Sequence, residues 1–239
     1  MNPLSGVLSD AWTLYKRHAR HLLTIAFVVY VVAAIIEAVL AGLLGLFGAF
    51  LAAIVSLVAA FLLQAALVKA VDDVRDGRAD MSLRDTIDAA RPYVGRVAAA
   101  SILAGIAIFI GLILLIAPGL YLMTIWCLIV PAIVLEGAGV GDAFTRSREL
   151  VRGNGWNVLG VIVLVLLLLI GFGIVLGLIL SALPDGVQSF ISSIVSGTLT
   201  APYLALVLTL SYFRLRQAHG ADGYVAPPPP PPPAPGYGG

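Results

Sequence analysis

The stretch Leu22–Val68, LLTIAFVVYVVAAIIEAVLAGLLGLFGAFLAAIVSLVAAFLLQAALV, decides the fold. A transmembrane helix needs about 20 apolar residues to cover roughly 30 Å of hydrocarbon. This run is more than twice that length, with Glu37 as its one charged residue, so it must fold back once. Gly42, Gly45 and Gly48 supply the turn, giving spans near 22–43 and 48–69. Further along, the apolar run Val97–Leu135 is barely two crossings long and is expected to bend tightly at Ala117-Pro118-Gly119. A third pair covers 157–183 and 190–213 around a Pro184-Asp185-Gly186 turn. The pattern predicts an all-α integral membrane bundle of six transmembrane helices in three hairpins.

Composition agrees with lipid as the solvent. Hydrophobic residues make up 60% of the chain and charged residues only 11%, with a mean hydropathy of +1.03, whereas a soluble domain carries about a quarter charged residues. All 14 Lys and Arg fall on one side of the predicted bundle, in the termini and the segments between hairpins. Short loops bearing Lys and Arg stay on the cytoplasmic side, so both termini are expected in the cytoplasm of a prokaryotic cell. A net charge of +1 lacks the concentrated basic face that a nucleic acid requires. Cys127 is the single cysteine, so no intrachain disulfide can form. Lys16, Arg17 and Arg20 precede an apolar stretch too long for a signal peptide and without an obvious cleavage site. The first span is therefore expected to persist in the mature protein.

The polar segments before the hairpins resemble one another. Aligning Asp10, Asp85 and Asp142 places Lys16, Arg91 and Arg148 six residues on, and Arg20, Arg96 and Arg152 ten or eleven residues on. This reads as three parallel pseudo-repeats, about 4–70, 81–136 and 139–213, each a short cytoplasmic interfacial amphipathic helix followed by a hairpin. Ser82, or Gly141 with the following Asp, suits a helix start. Trp12, Tyr15, Tyr93, Trp156 and Tyr212 are placed at the same interface, where amphipathic rings collect. The membrane domain is assigned to 1–216. The remainder, 217–239, contains seven consecutive prolines from Pro227 to Pro233. It reads as a disordered, extended cytoplasmic tail, either a spacer or a docking strand for a protein partner.

The order Pro118-Gly119-Leu120-Tyr121, Trp126, Pro131, Val134-Leu135-Glu136-Gly137, Ala143-Phe144, Ser147, Leu150 and Gly153-Asn154-Gly155-Trp156 resembles a known membrane domain. That domain is attached to some bacterial glycerophosphoryl diester phosphodiesterases and occurs in stand-alone prokaryotic membrane proteins of unknown function. The likeness covers roughly residues 80–175. It rests on turn and interface residues, and in the relatives that hydrolyse phosphodiesters the chemistry belongs to a separate soluble barrel. This chain is not expected to hold such a barrel. It also departs from the pattern at Ile125, where members often carry an Arg inside the fourth span.

Glu37 is the one acid placed well inside a span, and an intramembrane carboxylate is by default a functional hypothesis. Its depth matches Ser192, Ser193 and Ser196 of the sixth span, making a candidate polar cluster. The plainer reading is a carboxyl that snorkels to the outer surface or joins two helices. Ser192, Ser196 and Thr200, with Ser193, Gly197 and Ala201, give the sixth span a small, weakly polar side. Close helix packing explains that side; a polar conduit kinked at Pro202 is the sharper alternative. His18 and His21 stand beside three cations, which disfavours a metal, and the spacing of Asp72, Asp73, Asp76 and Asp80 lacks the order of a calcium loop. No cofactor and no catalytic constellation is expected. Lys16, Arg17, Arg20, Arg91, Arg96, Arg148 and Arg152 are the candidate contacts to anionic lipid headgroups. The expected role is a non-enzymatic scaffold or lipid-interacting module, with a small-solute or lipid transporter as the alternative.

Overall fold

Charge decides where each helix lies. The computed structural model describes residues 3–75 and 81–220. Within them the order is α1 (Val7–Arg17), α2 (Ala19–Arg75), α3 (Leu83–Ala90), a 3-10 turn at Arg91–Tyr93, α4 (Val94–Leu114), α5 (Ile116–Trp126), α6 (Ile129–Glu136), α7 (Val140–Val151), α8 (Gly155–Leu180) and α9 (Asp185–Ala218). Among the described residues, six stretches are long and apolar enough to cross a membrane: Ala19–Gly45, Phe50–Arg75, Leu83–Leu114, Ile116–Glu136, Gly155–Leu180 and Phe190–Ala218. The chain is an all-α, multi-pass membrane bundle. The loop acids Asp76 and Asp80, Arg78, and the proline-rich segment from Ala221 onward lie outside the described residues.

Each hairpin bends for a local reason. Within α2 the bend falls at Gly45, whose φ of 55° and ψ of −131° are closed to residues with a Cβ. The second bend is at Leu115, extended at φ −160° and ψ 138°, rather than at Ala117-Pro118-Gly119. Those three residues fall in the first turn of α5, where proline suits the helix because its missing N–H would have no partner there. Gly119 serves close apposition instead: a Cβ on Gly111 would lie 3.0 Å from the Gly119 Cα. The third bend spans Ser181–Pro184, and α9 begins at Asp185, one residue after the expected proline.

The three short helices present matching faces. α1 buries Val7, Ala11 and Tyr15; α3 buries Thr86 and Ala90; α7 buries Ala143, Ser147, Leu150 and Val151. Counted from Asp10, Asp85 and Asp142, the first and fifth residues onward are buried in all three, a spacing of one helical turn. α3 starts on a capping box between Ser82 and Asp85. α7 starts at Val140 behind Gly139, with no side-chain cap. α1 packs on α9, α3 on α2, and α7 on α5 and α6.

The core lies at this charged end. Leu22, Ile25, Leu67, Leu128, Ile133, Leu206 and Leu215 are fully buried there, whereas Leu43, Phe47, Leu114, Leu115, Leu178 and Ile179 near the hairpin tips are exposed. In water such exposure would cost about 25 cal/mol per Å². In hydrocarbon the penalty vanishes, because lipid tails are as apolar as leucine.

Candidate functional site at the charged end

Two prolines interrupt the backbone hydrogen bonding of the membrane helices, and an interfacial helix reaches each. Pro131 has no N–H to give to Cys127, one turn earlier, and the helix opens between α5 and α6. Ser147 of α7 fills the opening: its hydroxyl donates to the Ile125 carbonyl at 2.7 Å and accepts from the Leu128 N–H at 3.2 Å. Pro202 lies inside α9, and beside it the Tyr15 hydroxyl of α1 donates to the Leu199 carbonyl at 3.1 Å. The equivalent position in α3 is Ala90, which has no side-chain group to give, and the second span contains no proline.

An ion pair ties α6, α7 and α9 together. Arg146 Nε donates to the Glu136 carboxylate at 2.9 Å and 3.1 Å, and its Nη2 adds a bond of 2.9 Å. Tyr212, fully buried, donates its hydroxyl to the same carboxylate. The Glu136 side chain is 6% exposed and that of Arg146 23%. The Glu136 hydrogen bond raises the Arg146 guanidinium above its ordinary range against the opposing cost of burial. Tyr212, placed at the interface by the sequence, turns its phenol inward onto this carboxylate rather than outward. Trp12 and Trp156 do stand exposed.

The candidate lipid contacts divide by environment. Arg96 donates to the carbonyls of Gly137 and Ala138 at 2.7 Å and 3.4 Å, closing the C-terminus of α6, and lies over the Tyr93 ring with Lys69. It is a structural cation. Arg91 pairs with Asp88 at 3.5 Å. Lys16 rests over the Trp12 ring, 5.7 Å from its centre. Arg17, Arg20, Arg148 and Arg152 are exposed, and the Arg152 carbonyl meets His219 Nε2 at 3.0 Å. Arg214 closes the ring of termini by binding Asp10 and the Ser5 carbonyl.

The intramembrane candidates are not joined. Glu37 accepts from Ser56, across the first hairpin. Ser193 turns to its own helix, donating to the Phe190 carbonyl at 3.0 Å, and the Ser196 carbonyl accepts from Thr200 at 2.7 Å. Among the described residues none of Ser192, Ser193 and Ser196 bonds to Glu37. The small side of the sixth span instead receives the Tyr30 ring, which lies flush on Gly197. Among the described residues no group of three or more His, Cys, Asp or Glu comes together for a metal.

Sequence reasoning missed Glu136, Tyr212 and Ser147 as a working set. The available signal was an acid directly after an apolar run, at an interface otherwise marked by cations. Comparison with curated proteins and with solved structures returned no match. A family described as a domain of unknown function, DUF7847, matches residues 89–215, just over half of the chain. That match takes in α4 to α8 and nearly all of α9, including the Ser147 and Glu136 contacts, and the chain belongs to this family.

Proposed function

We propose that the protein is a non-enzymatic membrane scaffold that organises lipids, seated in a prokaryotic cell membrane with its charged end and both termini in the cytoplasm. Its three units act as parallel pseudo-repeats, and the proline-rich tail offers a docking strand to a protein partner. The distribution of Lys and Arg supports the orientation. The resemblance to the membrane domain of glycerophosphoryl diester phosphodiesterases fits a lipid-facing role without chemistry of its own.

One observation carries the choice of scaffold over transporter. The charged end is plugged by fully buried Leu22, Leu67, Ile133, Leu206 and Leu215, and the recess among α4, α5, α8 and α9, about 240 Å³, is walled by apolar groups such as Ile108, Met123, Val165 and Leu208. A conduit needs polar groups along its length, and the walls of this recess are apolar. Purified protein in liposomes is expected to give solute flux and lipid scrambling no faster than empty vesicles, and to retain anionic lipid through purification. Flux abolished by Glu37→Gln would reverse the choice and favour the transporter.

A further inference from the structure

Where α1 ends and α2 begins, the chain forms a recess of about 450 Å³ lined by Arg17, His18, Arg20, His21, Thr24, Ile25 and Leu83. Four basic side chains face one space. Among the described residues, the side chains of Arg17, His18, Arg20 and His21 form no hydrogen bond or ion pair. His21 Nε2 is shielded from solvent and has no partner. The first turn of α2 carries no acid.

We infer that this recess binds a phosphoryl group, and that its source is the headgroup of an anionic membrane lipid. The inference rests on the lipid-organising reading above and names the site. Guanidinium forks match phosphate oxygens bidentately, His21 supplies a further donor, and Ile25 and Leu83 give the glyceryl region an apolar wall. The recess lies at the junction of an interfacial helix and a span, at headgroup depth.

The test uses the full chain in nanodiscs of phosphatidylcholine with and without phosphatidic acid, read by native mass spectrometry, with inorganic phosphate titrated in parallel. Each neutralised cation should cost about five-fold in retention, so Arg17→Gln/Arg20→Gln should lose roughly 25-fold and His21→Phe a smaller factor. Arg148→Gln, an exposed cation outside the recess and itself a candidate headgroup contact, should lose no more than about five-fold in lipid retention and should bind inorganic phosphate as the parent does. Loss confined to the lipid arm supports a lipid headgroup. Loss confined to the inorganic phosphate arm supports the phosphoryl site and overturns its lipid source. If the double variant and His21→Phe bind both probes as the parent does, the site is overturned while the scaffold reading stands. If the parent retains no anionic lipid, the scaffold reading falls as well.

Discussion

The Ser147 hydroxyl donates to the Ile125 carbonyl at 2.7 Å while accepting from the Leu128 N–H at 3.2 Å. One interfacial side chain thus serves two of the groups exposed by a helix break inside a membrane span. Non-helical backbone at that depth survives only where the protein satisfies it. Ser147→Ala leaves the Leu128 N–H and the Ile125 carbonyl unpaired in an apolar site, and should destabilise the protein by about 1–3 kcal/mol. A thermal-shift measurement in detergent checks this. An unchanged melting temperature would mean that the break needs no cap.

Glu136→Gln removes the charge that holds Arg146 while keeping an acceptor for Tyr212. Breaking a fully buried pair costs about 3–5 kcal/mol. Because Arg146 is 23% exposed, the expected loss here is nearer about 2 kcal/mol. Tyr212→Phe should cost less, about 1 kcal/mol. The two changes together should cost less than their sum, since both act on one carboxylate. Denaturant titration of the four proteins measures the coupling directly.

Tyr15 gives an alkaline signature. Burial raises its phenol above the ordinary value of 10.0, so the folded state keeps the proton that the unfolded chain releases. Its contribution is fully present below that ordinary value and is lost as pH rises through the folded one. Stability should therefore fall above about pH 10, and Tyr15→Phe should flatten that fall while costing about 1 kcal/mol at neutral pH by losing the Leu199 bond. Melting temperatures of both proteins between neutral and strongly alkaline pH decide it.

Gly197→Ala would drive a methyl group into the Tyr30 ring, which occupies the space where a Cβ would sit. Overpacking of this kind costs about 1–3 kcal/mol. Tyr30→Ala should relieve the clash in the double variant, so that adding the second change restores part of the lost melting temperature. A Gly197→Ala protein as stable as the parent would reopen the polar-conduit reading of this face.

Much of this was legible in the chain because lipid imposes a simple rule. The apolar runs gave six spans, the Gly42, Gly45 and Gly48 cluster gave the first bend, and the registers of Asp10, Asp85 and Asp142 located the three amphipathic helices. The second bend was misplaced because Pro118 suits both a turn and the first turn of a helix, and local sequence does not separate the two. Tyr212 was assigned to the interface because its position along the span places it there; its burial depends on which helix stands opposite.

Solvent explains the division between chain and fold. The sequence by itself determined the class, the number of crossings and the end that holds the charge, since hydrocarbon excludes Lys and Arg whatever the helices do with one another. Only the tertiary structure decided that Glu37 meets Ser56, that Glu136 gathers Arg146 and Tyr212, and that Ser147 and Tyr15 reach the carbonyls beside Pro131 and Pro202. Those pairings join residues 10 to 184 positions apart. Their partners are chosen by rotation of whole helices about their axes, which the linear pattern of apolar residues leaves free in a solvent that is apolar on every side.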